Sequence, residues 1–201
     1  MKKLKVAVTG NIGSGKTSFC KFLEEMNFSV IKADEIAKDL LANNEKVKKE
    51  VIKHFGSSAY NGKEINKKYL ADKIFSVQLN LNTINSIIHP LVIEKVDSQM
   101  NKQLQTSDIV FHEAALIYEA DIEDIFDIVV LISADYQVRL ERKKLHDNFS
   151  EEEFSKRESN QISEEEKKKR ADFVFLNNES LQELKTKAEL LIKILKWLIQ
   201  Q

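Results

Sequence analysis

Apolar residues along the 201-residue chain follow two rhythms. Short β-branched runs bounded by glycine or charge predict buried strands over 4–9, 28–31, 108–112, 128–132 and 173–176. Between them apolar residues recur three and four positions apart. Phe19, Phe22, Leu23 and Met26 predict a helix over 17–26, and Ile36, Ala37, Leu40 and Leu41 predict one over 34–41. Further helices are expected over 46–55, closed by Gly56, over 136–145 and over 181–198. Residues 66–105 read as mostly helical, with Ile84, Ile88, Leu91 and Val96 on the apolar face. Pro90 is the only proline. Proline costs about 3 kcal/mol inside a helix unless it starts one, so a kink or a helix start is expected there. Asn61-Gly62 places a turn over 60–63.

Strands alternating with helices predict an α/β fold, a five-stranded parallel sheet with helices on both faces. Ligands in such sheets sit at the carboxyl ends of the strands. Composition narrows the reading. A hydrophobic share of 42% supports a true core in one domain, and a net charge of -1 argues against non-specific nucleic-acid or acidic-membrane binding. The single cysteine, Cys20, reads as a packed thiol in a reducing compartment. The basic start lacks the apolar stretch of a signal peptide, and no apolar run reaches the length of a membrane span, so a cytoplasmic protein is expected.

Three of the five glycines fall in one loop between the first strand and the first helix. Gly10-Asn11-Ile12-Gly13-Ser14-Gly15-Lys16-Thr17 fits G-x-x-x-x-G-K-[ST] at every fixed position. Glycines let successive N–H groups turn toward phosphate oxygens, and the helix that follows presents its own N-terminal donors to the same anion. Lys16 would offset the charge of the β and γ phosphates, and the Thr17 hydroxyl would ligate Mg²⁺. With Ser18, these residues form the expected ATP site. A chance glycine turn is the competing explanation, weakened by the strand-loop-helix context. The chain carries neither the N-K-x-D guanine motif nor the L-S-G-G-Q transporter signature. A long helical insert and a charged segment over 139–170 suggest a kinase with an acceptor domain and a water-excluding lid.

The motifs together resemble the dephospho-coenzyme A kinase family, over about residues 4–184. The phosphate loop is close to that family's T-G-G-I-G-S-G-K-S. Ile31-Lys32-Ala33-Asp34-Glu35-Ile36-Ala37-Lys38 is similar to I-D-A-D-x-I-A-R, Ile87-Ile88-His89-Pro90 to L-x-H-P, and Ala115-Leu116-Ile117-Tyr118-Glu119 to P-L-L-F-E. Arg157 and Gln161 fit R-x-x-x-Q, and residues 171–177 fit A-D-x-V-I-x-N. Asn11 stands for a glycine, which a left-handed backbone would accommodate. Lys32 replaces an aspartate, Ala115 a proline, and His146 stands where a second lid arginine is expected.

The resemblance implies a three-layer P-loop kinase fold in one domain, with a core (about 1–44, 106–138 and 171–201), an acceptor-binding insert (about 45–105) and a lid (about 139–170). It implies phosphorylation of the ribose 3′-hydroxyl of dephospho-coenzyme A by ATP, with Mg²⁺, in a monomer or weak homo-oligomer. A nucleoside monophosphate or shikimate kinase is the nearest alternative, and a slowly hydrolysing nucleotide-gated regulator is a third. Asp34, after the second strand, is placed to accept the proton of the attacking hydroxyl, or to cap a helix. His89 is implied on the acceptor side, or fixes a helix kink, and Glu119 orients the acceptor loop. Glu113 is a metal candidate or a surface acid. Arg142, with Arg139 and Arg157 behind it, suits phosphate oxygens, the competing view being solvated helix arginines. Residues 164–170 read as a solvated, charge-paired helix.

Overall fold

A computed structural model describes residues 2–62 and 64–201, less the side chains of Phe75, Ser76 and Gln78. Lys63, the last residue of the expected turn, and Met1 lie outside the described residues. In chain order the elements begin β1 (Leu4–Thr9), α1 (Lys16–Glu25), β2 (Ser29–Lys32), α2 (Ala33–Asn43), α3 (Glu45–Phe55), β3 (Tyr60–Asn61) and β4 (Glu64–Ile65). They continue as α4 (Lys67–Ser76), α5 (Gln78–Gln103), β5 (Ile109–Glu113), β6 (Ile128–Ser133) and α6 (Tyr136–Asp147). The last are α7 (Glu151–Glu158), α8 (Glu164–Arg170), β7 (Phe173–Leu176) and α9 (Leu181–Ile199). The chain divides into two compact units, Met1–Ile31 with Gln99–Gln201, and Lys32–Ser98.

Among the described residues, five strands form the expected parallel sheet in the order β2-β5-β1-β6-β7. β1 lies at the centre, registered from Leu4↔Ile109 to Val8↔Glu113 on one side and from Val6↔Ile128 to Thr9↔Leu131 on the other. Side chains alternate across a strand, so Leu4, Val6 and Val8 face one layer, where they pack with Phe19, Cys20 and Leu23 of α1 and Leu184, Leu191 and Leu195 of α9. Full burial of one such leucine is worth about 1.5–3 kcal/mol, which binds both helices to this face. Ala7, Thr9 and Leu131 are buried on the opposite face, and α8 packs against β6. Cys20 is buried, as its apolar spacing implied.

One β5 residue makes the fold sensitive to acid. His112 is 1% exposed, its Nδ1 lies 2.9 Å from Ile31 O, and its ring stacks on Phe126. Burial pushes its pKa down from 6.5 to about 4. A base kept neutral by the fold is protonated more easily in the unfolded chain. Its contribution is therefore complete above about pH 6.5 and is lost as pH falls toward about 4. At about 1.4 kcal/mol per pKa unit the loss is on the order of 3 kcal/mol. Urea melts across this window should show that slope and show it flattened in His112→Gln; equal slopes in the two proteins would refute the assignment.

The second unit is built from α2, α3, the β3–β4 hairpin, α4 and most of α5. Asn44 caps α3, its Oδ1 accepting from the N–H groups of Lys46 and Val47 at 3.0 and 3.1 Å. Tyr60 Oη donates to Leu41 O and Tyr69 Oη to Phe55 O, tying the hairpin and α4 to the preceding helices. The unit takes in α2, which the expected insert of 45–105 leaves in the core. The helical segment is two helices, and Pro90 lies inside the second rather than at a helix start. No helix among the described residues is long and apolar enough to cross a membrane.

Candidate active site

The glycine loop joins the central strand to α1 at the carboxyl edge of the sheet. Gly15 has φ +96°, and a Cβ there would lie 2.2 Å from Asn177 Nδ2. That amide donates to Ser14 O at 2.7 Å, and the Asn177 N–H donates to Ser133 O at 2.7 Å, so the residue after β7 braces the loop from beneath. α1 starts without a side-chain cap and without an acid in its first turn. α7 and α8 each have a serine cap and three glutamates there. A helix N-terminus left uncapped keeps its donors and its partial positive charge for an anion. Lys16 is its first residue, half-buried, and Ser18, two residues on, is also half-buried.

Thr17 Oγ1 donates to Glu113 Oε1 at 2.7 Å. Glu113 ends β5, one residue beyond the expected strand, and Thr17 is the second residue of α1, so a strand end and a helix start bring the two oxygens together.

The arginines separate. Arg139 is no solvated helix residue, because its side chain is only 4% exposed and all three guanidinium nitrogens donate. It grips Glu158 with two bonds of 2.6 and 2.8 Å and donates through Nε to Ala134 O at 2.8 Å. Nη1 also reaches Ile12 O at 3.2 Å. Arg142 is half-buried; its Nη1 is shielded from water and meets no partner among the described residues, and burial lowers its pKa. An unmatched cationic donor of this kind suits an incoming anion. Arg157 lies over the Phe149 ring at 4.2 Å, and His146 is exposed in the last turn of α6.

Asp34 and His89 belong to the second unit. Asp34 is exposed in the first turn of α2, whose cap position is Lys32, so it favours the helix dipole without being the cap residue. His89 is half-buried on α5, and burial lowers its pKa. Glu119 has defined partners in the first unit, accepting from Ile162 N at 2.9 Å and pairing with Lys167 Nζ at 2.8 Å. Lys167 is 0% exposed and donates also to Ala115 O, so the expectation of a wholly solvated helix over 164–170 is corrected at this position. Asn11 is corrected as well. Among the described residues, the non-glycine residues with positive φ are Asn27, Asp121 and Asn148, so Asn11 needs no left-handed backbone. Asn177 and Gln161 sit in quoted motifs, yet sequence reading assigned them no role in the loop.

Comparison with known proteins agrees over nearly the whole length. A sequence model of the dephospho-CoA kinase family matches residues 4–183. The dephospho-CoA kinase of Protochlamydia amoebophila is 36% identical over 187 residues, covering 92% of this chain and 92% of that protein. Among solved structures, TT1252 from Thermus thermophilus has a TM-score of 0.81 at 27% identity, covering 97% of this chain and 99% of that one. The dephospho-CoA kinase from Campylobacter jejuni has a TM-score of 0.71 at 26% identity, covering 94% and 95%.

Proposed function

The chain belongs to the dephospho-CoA kinase family, and from that premise we propose that it transfers the γ-phosphoryl group of ATP to the ribose 3′-hydroxyl of dephospho-coenzyme A. This is the last step of coenzyme A synthesis. The observation that carries the reading is the uncapped, acid-free start of α1 behind a glycine loop, lying within the matched span. Nucleoside monophosphate and shikimate acceptors are not favoured by this membership.

The residues divide the work by chemistry. Amides of Gly13 and of residues 15–18, with the Lys16 ammonium, hold the polyphosphate, and Arg142 meets charge that develops on the transferred group. Thr17 Oγ1 and the Glu113 carboxylate are hard oxygens 2.7 Å apart, a donor pair that fits Mg²⁺ alongside phosphate oxygens and water. When bound, the metal supplies neutralising charge to the β and γ phosphates. Asp34 accepts the proton of the 3′-hydroxyl, and its exposed position in the first turn of α2 keeps the carboxylate available. His89 and Glu119 serve the acceptor side. The core, the insert over about 45–105 and a lid over about 139–170 form one working domain, active as a monomer or weak homo-oligomer. A reducing cytoplasm suits its single buried thiol.

Asp34→Asn removes the proton acceptor while keeping shape. We expect kcat to fall by about two to four orders of magnitude, with KM for ATP within a factor of about two of the parent. A variant retaining more than a tenth of parental kcat would remove Asp34 from the chemistry. A panel of dephospho-coenzyme A, AMP and shikimate tests the acceptor, and preference for either of the latter two overturns the assignment.

A further inference from the structure

We propose that Asn11, Arg139, Glu158 and Gln161 form a clamp on the rim of the phosphate loop, acting as positioning residues for ATP binding rather than as phosphate ligands. The inference rests on the kinase reading and deepens it.

Ile12 has both backbone groups occupied by side chains from outside the loop. Its N–H donates to Gln161 Oε1 at 2.8 Å, and its carbonyl accepts from Arg139 Nη1 at 3.2 Å. Next to it, Asn11 Nδ2 donates to Glu158 Oε1 at 3.2 Å and to Ile162 O at 3.3 Å. The Arg139 backbone backs the following residue so closely that a Cβ on Gly13 would lie 2.7 Å from Arg139 O. Residues 11–13 are thereby held from α6, from the end of α7 and from the connection to α8.

Fixing one backbone residue costs about 1–2 kcal/mol, and more for glycine. A loop that must present several amides to a triphosphate binds more tightly if that ordering precedes the ligand. The clamp supplies the ordering through groups that face away from the anion. Because Ile12 N–H donates to Gln161 and Ser14 N–H to Asn11 O, the amides of Gly13 and of residues 15–18 are the ones offered to phosphate. Charge is managed in the same place. Glu158 would repel a polyphosphate, but its carboxylate is held bidentately by Arg139, itself buried under the Tyr136 and Phe154 rings.

The identity of residue 11 points the same way. The resembled family has glycine there, yet Asn11 has no positive φ and is 1% exposed. Its Oδ1 is buried without a partner among the described residues, so the side chain is kept for its two donated bonds.

Gln161→Leu and Asn11→Ala each remove clamp bonds without stranding a charge. Isothermal titration calorimetry of the full chain with ATP–Mg should show affinity reduced about five- to tenfold in each. The double variant should lose less than the product of the two, since the bonds act on one loop. KM for ATP should rise in step, and KM for dephospho-coenzyme A should stay within about twofold, a split that general destabilisation does not produce. Folded Gln161→Leu binding ATP as tightly as the parent overturns the clamp, as does a rise confined to the acceptor KM. Should Gln161→Leu fail to fold, Asn11→Ala alone decides on the same readout. Calorimetry needs no acceptor, so the clamp and the acceptor assignment can fail separately.

Discussion

Replacing Lys16 with alanine should lower kcat/KM by about two to three orders of magnitude while leaving thermal stability near that of the parent. Lys16 opens α1, where the loop amides and the helix dipole already favour negative charge, and it adds the one full positive charge of the loop. Charge on the phosphates rises along the reaction path, so an ammonium held in place stabilises the transition state more than the ground state. Thermal stability is spared because the side chain lies outside the packed layer of Phe19, Cys20 and Leu23. Lys16→Arg should rescue poorly, since a planar fork does not replace a point charge in a tight loop. Steady-state kinetics with dephospho-coenzyme A and calorimetry with ATP–Mg measure both halves of this prediction. A Lys16→Ala enzyme within tenfold of the parent would mean that the loop is not the seat of catalysis.

Lys167→Ala should show its largest effect in stability. The ammonium is 0% exposed, paired with Glu119 at 2.8 Å and bonded to Ala115 O. Removing one partner of a buried pair leaves the other charge uncompensated, at about 3 kcal/mol or more. For a chain of this length that lowers Tm by about 10 °C. Lys167→Met fills the space but still strands the carboxylate, so it should recover only part of the loss. Differential scanning calorimetry on the three proteins checks the order. Equal melting temperatures would show that α8 is dispensable to the core.

These two residues mark how far the sequence could be read. The loop around Lys16 was legible because its chemistry is local: glycine spacing, a lysine, a hydroxyl and a helix start lie within eight consecutive residues. The central strands were legible for a related reason, since a parallel strand buried on both faces is a plain apolar run. Lys167 was not legible. It sits in a run of like and opposite charges whose solvated look hides the one fully buried position of α8. Arg139 was hidden likewise, its partner Glu158 being 19 residues away on another helix. Asn177 braces Ser14 across 163 residues, a contact that no local period reports. The β3–β4 hairpin, with two residues in each strand, is too short to show alternation, although its Asn-Gly turn was visible. At position 11, a family glycine suggested a left-handed backbone that this chain does not adopt.

The central claim is that the loop delivers the outermost phosphate of ATP to one particular hydroxyl. Following the wild-type protein with ATP–Mg and dephospho-coenzyme A by ³¹P nuclear magnetic resonance tests it most directly. The account predicts a new phosphomonoester resonance at the ribose 3′ position, growing in step with ADP. Accumulation of ADP with inorganic phosphate, or a phosphate on any other hydroxyl, would contradict it.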